Sequence, residues 1–203
     1  KTFLDRSPNQ DIVKGLPIVE QEIYHDIYYI MLDSYPSNDI LIDNFGYDNS
    51  EFISSLELLG FKVNNNSLSN YASTFLSLLS TFNFDYIDNI LPLDNLKGES
   101  SIVLANNKIK NNNFIKFLKL HNYNYTHFCS GWGPTDNNRY ADKIIDNSFA
   151  NEITIMLIQN TLFYPILSRL GFTLDWFRNL TLRNYDGVSK LVNLDGRNFI
   201  FLH

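Results

Sequence analysis

Among its 203 residues the chain has one cysteine, Cys129. A single thiol forms no disulfide within the chain and builds no cysteine metal cage, which leaves the redox compartment open. Positive charge is also scarce: the formal net charge is -6, whereas a protein that tracks a phosphate backbone needs clustered Lys and Arg to displace counterions. Lys108, Lys110, Lys116 and Lys119 do gather in "NNKIKNNNFIKFLKL", but at the spacing of a solvated helix face. Nucleic acid is therefore not an expected partner. No apolar run approaches the roughly 18 residues of a membrane span, and the opening "KTFLDRSPNQ" has no signal-peptide core.

What the chain does have is 44% hydrophobic residues, enough to bury a core as one domain or a large piece of one. Asparagine is abundant, as in "VNNNSLSN" and "KNNNF", so the glycosylation triplets at Asn65, Asn124 and Asn179 read as compositional bias. Residues 1 to 25 read as a lead-in segment without sustained period. "IYYIML", Ile27 to Leu32, suits a buried parallel strand. "DNSEFISSLELLGF" predicts a helix capped at Asn49 or Ser50 and ended by Gly60, followed by a short strand "FKV". Further on, "SSIVLANN" predicts a strand, "NNNFIKFLKLHNY" a helix, and "YTHFCSG" a strand entering the turn "SGWGPTDNNRY". Helices over roughly 147 to 169 and 184 to 192, broken near Pro165 and Gly171, lead to a last strand, "RNFIFLH". Alternating strands and helices predict an α/β sheet with helical cover, and no linker separates two domains. The chain stops where this strand ends, so residues 26 to 203 are expected to be the N-terminal portion of a larger domain.

In open α/β sheets chemistry gathers beyond the carboxyl ends of the strands. Asp33, just after the first strand, is placed to hold a hard cation, or simply to serve the turn "DSYPSND". "SNYASTFLSLLS" puts Ser69, Ser73 and Thr74 where a polar loop enters a helix, where free N–H groups favour an anion. A hydroxyl there either caps the helix or acts as the nucleophile of phosphoryl or sulfuryl transfer. In "SGWGPTDNNRY", Trp132, Thr135 and Arg139 occupy a loop beyond a strand; Arg139 matches phosphate oxygens, and a packed Ω-like loop is the plainer reading.

The strings "DIYYIMLDSYPSNDIL", "FGYDNSEFISSLELLGFKV", "NSLSNYASTFLSLLSTFNFDYID", "NYTHFCSGWGPTDNNRYAD" and "NFIFLH" occur in an order that resembles the alkaline phosphatase superfamily. The likeness is to its sulfatase-like branch, with the phosphoglycerol transferases and lipoteichoic acid synthases. The resemblance implies a metal-dependent phosphoester hydrolase or phosphotransferase acting outside the cytoplasm on a polyol-phosphate or lipid-derived substrate. Asp33 would bind a divalent metal (Zn, Mn, Mg or Ca), and Thr74 would be both ligand and nucleophile, with Ser77 completing the Thr-x-x-Ser spacing. Ser73 and Ser69 stay as competitors. No Cys-x-Pro-Ser-Arg occurs here, so a phosphate ester suits the chain better than a sulfatase chemistry. Arg139 and His203 are expected at the substrate, whereas His25, His121 and His127 do not match ligand positions. An Asp-His pair that would complete the metal site is absent from the chain, which is expected to be inactive by itself. Membrane association is expected through a segment not in this chain. The rival expectation is a domain of this type that has lost catalysis and serves as a binding or scaffold module. If Asp33 and Thr74 share one cation, their oxygens must lie within about 4 to 5 Å.

Overall fold

The computed structural model describes residues 24–65, 67–91, 99–148, 152–170 and 174–203. Most of the lead-in, residues 1–23, lies outside them. Among the described residues the elements run, in chain order, β1 (Ile27–Ile30), α1 (Asn38–Phe45), α2 (Ser50–Leu58), α3 (Thr74–Asn83), α4 (Ile87–Ile90), α5 (Glu99–Lys110) and α6 (Asn113–Leu120). They continue with β2 (Tyr123–Phe128), β3 (Lys143–Ile145), α7 (Glu152–Gln159), α8 (Tyr164–Arg169), α9 (Leu174–Ser189) and β4 (Arg197–Leu202). The chain divides into two compact units: Leu32–Ser77 forms one, and the residues before and after it form the other. The division falls inside the stretch expected to be a single domain, and α3 begins in one unit and ends in the other.

The larger unit is an α/β layer structure. Its four strands are all parallel, in the order β1-β4-β2-β3, and the two longest, β2 and β4, lie in the middle, where both faces are covered. Strand periodicity then sorts the side chains. Tyr123 and Tyr125 of β2 join Phe199 and Phe201 of β4 under Leu78 and Phe82 of α3 and Ile115 and Leu118 of α6. On the other face, Phe128, Ile200 and Leu202 pack with Leu191 and with Tyr185 and Val188 of α9. Each such side chain taken fully out of water contributes about 1.5–3 kcal/mol. The register that makes this possible pairs Tyr125 with Phe199, Thr126 with Ile200 and His127 with Phe201.

Asparagines close the gaps between these elements. The fully buried Asn112 donates to Ile109 O at the end of α5 and accepts from Ile115 N at the start of α6, both at 2.7 Å, so one side chain serves two helix ends. Asn184 of α9 donates to Cys129 O at 3.2 Å, tying the helix to the end of β2.

The smaller unit holds α1 and α2. Asn38 Oδ1 accepts the Asn49 N–H at 2.8 Å, and Asp48 accepts both the Ser50 N–H at 2.9 Å and the Ser50 hydroxyl at 2.5 Å. The bonds from Ser50 hold the Asp48 carboxyl below the usual range. Asn49 is the N-cap residue of α2, as expected, but its side chain makes no cap bond; Asp48, one residue earlier, accepts the first-turn N–H of Ser50 instead. Gly60, with φ of 90°, ends that helix as expected. Its N–H donates to Glu57 O at 2.9 Å and that of Phe61 to Leu56 O at 3.0 Å, a Schellman motif.

Several expected elements differ. "FKV" is not a strand, because the Phe61 N–H is used by the helix end and the smaller unit has no described strand to pair with it. "SSIVLANN" lies in α5: only Ala105 and Ile109, one helical turn apart, are buried, while Ile102 and Val103 face solvent, so the period of 3.6 prevails over the β-branched run. The helix placed at 184 to 192 is α9, beginning at Leu174, and the span 147 to 169 contains α7 and α8 separately, with Pro165 in the first turn of α8.

Candidate functional site

Asp33 and Thr74 both belong to the smaller unit. Asp33 and Ser34 are the central residues of a turn closed by Tyr35 N–H donating to Leu32 O at 3.3 Å. Ser34 is left-handed, with φ of 58°, a conformation that is uncommon outside glycine and asparagine and concentrates at functional sites. On the facing segment, Ser77 N–H donates to Ser73 O at 2.9 Å. That bond makes Ser73 the cap residue and Thr74 the first residue of α3.

The Thr74 hydroxyl donates to Asp33 Oδ1 at 3.0 Å. It is half-buried and the carboxylate is exposed. A hydroxyl at this first helical position is not needed for capping and is directed at an acid instead. Of the two competing hydroxyls, Ser69 is occupied locally, donating to Tyr71 O at 2.8 Å, and the nearby Ser77 donates to the same carbonyl at 2.7 Å. Ser77 therefore braces the loop that delivers Thr74. The carboxylate of Asp33 also complements the positive end of α3, whose first turn has no acid of its own, an interaction worth about 0.3–1 kcal/mol at an exposed site.

Asp33 and Thr74 present two oxygen donors, the chemistry hard cations take. Their 3.0 Å separation suits neighbouring ligands on one ion, since two oxygens at about 2.1 Å and a right angle lie about 3 Å apart. The donor type fits; the count is short, because no group of three or more His, Cys, Asp or Glu gathers among the described residues.

The larger unit holds the other expected residues. His203 lies at the end of β4, where its Nδ1 is 2.7 Å from the Thr135 hydroxyl and its ring meets Trp132 edge-on at 5.3 Å between centroids. Thr135 and Trp132 belong to the loop after β2, so the structure joins three of the residues singled out in the sequence. Arg139 does not share these contacts: exposed, it donates to Tyr140 OH at 2.9 Å and lies over that ring. His25 gives its carbonyl to Tyr123 OH, and His121 ends α6 against Phe117.

His127, which matches no ligand position of the resembled family, is the hub of this loop. Its ring is buried and stacks on Phe201 at 5.3 Å. Nε2 is 2.9 Å from Thr135 O, a pure acceptor, so Nε2 carries the proton; Nδ1 then accepts from Tyr125 OH at 2.7 Å. Burial pushes the imidazole pKa down to about 4, and raises that of Tyr125, so both groups stay neutral in these roles. The readable signal was the alternation "YTH", which puts Tyr125 and His127 on one face of β2.

Cys129 directly follows β2 at 4% exposure, and burial, with Asp146 and Asp136 nearby, pushes its thiol up to about 12. Since the thiolate is the reactive form, the native chain should resist a disulfide reagent at neutral pH and react fully once urea unfolds it. Rapid stoichiometric labelling of the folded chain would contradict this burial. Searches of protein-family models, curated proteins and solved structures return no match to this chain.

Proposed function

We propose that this chain carries the nucleophile of a metal-dependent phosphoester hydrolase or phosphotransferase of the sulfatase-like alkaline phosphatase type. The observation that carries the reading is the 3.0 Å bond from the Thr74 hydroxyl to Asp33 at the first residue of α3. A hydroxyl within reach of a base, at a helix start whose N–H groups accept no further intrahelical load, is the arrangement that nucleophilic transfer to phosphorus requires. The four-stranded parallel sheet with its helical cover is compatible with that superfamily's architecture.

In this mechanism Asp33 orients the Thr74 hydroxyl and accepts its proton as the oxygen attacks phosphorus in line. The N–H groups of the first turn of α3 receive the non-bridging oxygens. The phosphorus–oxygen bond to the departing alcohol breaks, its oxygen taking a proton from water while Asp33 gives its proton up to solvent. Water or an acceptor alcohol then attacks phosphorus, the bond to Thr74 breaks, and the attacking group's proton passes through Asp33 to the Thr74 oxygen. A divalent cation (Zn, Mn, Mg or Ca) held by Asp33, Thr74 and further ligands would neutralise charge on the ester. The substrate class is a polyol-phosphate or lipid-derived phosphate ester outside the cytoplasm. Membrane attachment belongs to a segment other than the described helices, none of which is long and apolar enough to cross a bilayer.

The test is covalent trapping. The chain is incubated with an aryl phosphate ester and, separately, with phosphatidylglycerol vesicles, each with the four cations in turn, and its peptides are analysed by mass spectrometry. Catalytic turnover is not expected of this chain by itself, but a slow single-event adduct of phosphoryl or phosphoglyceryl mass on the Thr74 peptide is. It should vanish in Thr74→Ala and fall at least tenfold in Asp33→Asn. An adduct on Ser69 or Ser73, or none under any condition, would overturn the assignment.

A further inference from the structure

We infer that Thr135 is a positioning residue for His203, fixing the ring plane and holding the neutral imidazole with its proton on Nε2. Three protons, on two hydroxyls and one ring nitrogen, fix this arrangement. Ser130 Oγ accepts the Trp132 N–H at 3.0 Å and faces two acceptors, the Thr135 hydroxyl at 2.9 Å and Trp132 O at 3.3 Å. Hydroxyl donors prefer about 2.5–3.0 Å, so the Ser130 proton goes to Thr135. Having accepted that proton, Thr135 Oγ1 has its own to give, and His203 Nδ1 lies 2.7 Å away. Nδ1 is therefore the acceptor, and the proton of the neutral ring is on Nε2. The opposite ordering would run from His203 to Thr135 to Ser130 and end on the 3.3 Å contact, the poorest in the set.

Thr135 is itself immobilised from behind. It is 3% exposed, its carbonyl takes the Nε2 proton of His127, and His127 is anchored on Tyr125. Trp132 sets the other side of the His203 ring. The loop from Ser130 to Asp136 is closed by Gly131 N–H on Asp136 Oδ1 at 3.2 Å. A residue bonded at both its side-chain hydroxyl and its main-chain carbonyl moves little, and the ring it holds inherits that order. Thr135 touches no substrate in this scheme and acts through His203. What the fixed ring then contacts rests on the proposed function; the proton placement does not.

The experiment is long-range nitrogen–proton correlation on histidine-labelled chain at a pH where imidazole is neutral, with His203→Gln to assign the resonance. His203 should show an unprotonated Nδ1 and a protonated Nε2, the pattern that His127 displays in the same spectrum. In Thr135→Val the Nδ1 resonance should move toward that of an imine nitrogen without a donor. Thr135→Ser, which keeps the hydroxyl, should restore it. A protonated Nδ1 on His203, or a Nδ1 resonance indifferent to Thr135→Val in chain that melts cooperatively, would overturn the inference. If Thr135→Val fails to fold, the wild-type spectrum and Thr135→Ser decide it. Failure of adduct formation on Thr74 would leave this result standing and remove only the functional reading.

Discussion

Acidification from pH 7.5 to 4.5 should remove about 3 kcal/mol of folding stability through His127 alone, one pKa unit being worth about 1.4 kcal/mol. Burial holds the folded pKa near 4, against the ordinary imidazole value of 6.5. Above the unfolded pKa both states are neutral and the group contributes nothing to the pH dependence. Between pH 6.5 and about 4 the unfolded chain takes up a proton that the folded chain refuses, so the unfolded state gains and stability falls with pH. Below about 4 the folded ring is protonated too, losing the acceptor that receives Tyr125 OH, and the loss levels off. Carboxylates titrate in the same range, so the measurement is differential: urea midpoints of the chain and of His127→Gln at both pH values. At pH 7.5 the natural chain should be the more stable, because glutamine does not reproduce both ring bonds. At pH 4.5 that advantage should shrink by about 3 kcal/mol. An advantage that is equal at the two pH values would mean that His127 is hydrated or already charged.

The same residue shows what local pattern reveals and what it leaves out. β4 was legible because a strand buried on both faces is a short continuous apolar run, and α2 because an apolar stripe ends on Gly60. β1 is a strand as expected but not a buried one, since it lies at the sheet edge with Tyr28 and Ile30 exposed. β3 was not: three residues beginning with Lys143 carry no periodicity, and it is paired through Thr126 and its neighbours. α5 was read as a strand because four apolar residues in a row satisfy either period, and only the burial of Ala105 and Ile109 separates them. Asp33 and Thr74 were singled out by position and by family likeness, since a 41-residue separation has no local signature. The structure brings them together. The partnership of Thr135 with His203 spans 68 residues; it arises because β2 and β4 are neighbours in the sheet and both end at the same edge, which is a fact of topology. A histidine with no visible partner in sequence can thus be fully engaged in the fold.

Gly187→Ala should destabilise the chain by up to about 2 kcal/mol, against the direction that helix propensity gives. Gly187 lies within α9, where alanine is ordinarily better than glycine by about 0.8–1 kcal/mol. That gain assumes room for a methyl group. Here an added Cβ would stand 2.7 Å from Phe128 Cε1 and 3.3 Å from its Cζ, well inside the 3.5–4.0 Å at which carbons rest. The ring is not at the free end of a flexible chain. Phe128 is fully buried on β2, packed with Ile200, Leu202 and Leu191, and cannot withdraw without disturbing them. Overpacking of this kind costs about 1–3 kcal/mol, which exceeds the propensity term. The missing side chain is thus what lets α9 lie close against the sheet. A double-mutant cycle with Phe128→Leu isolates the contact, because the shorter side chain vacates the space that the methyl group needs. Phe128→Leu alone should destabilise, but in its background Gly187→Ala should cost at least about 1 kcal/mol less than in the natural chain. Unfolding by urea, read by circular dichroism, measures all four corners. A Gly187→Ala chain more stable than its parent would show that helix and sheet are farther apart than the 2.7 Å contact requires.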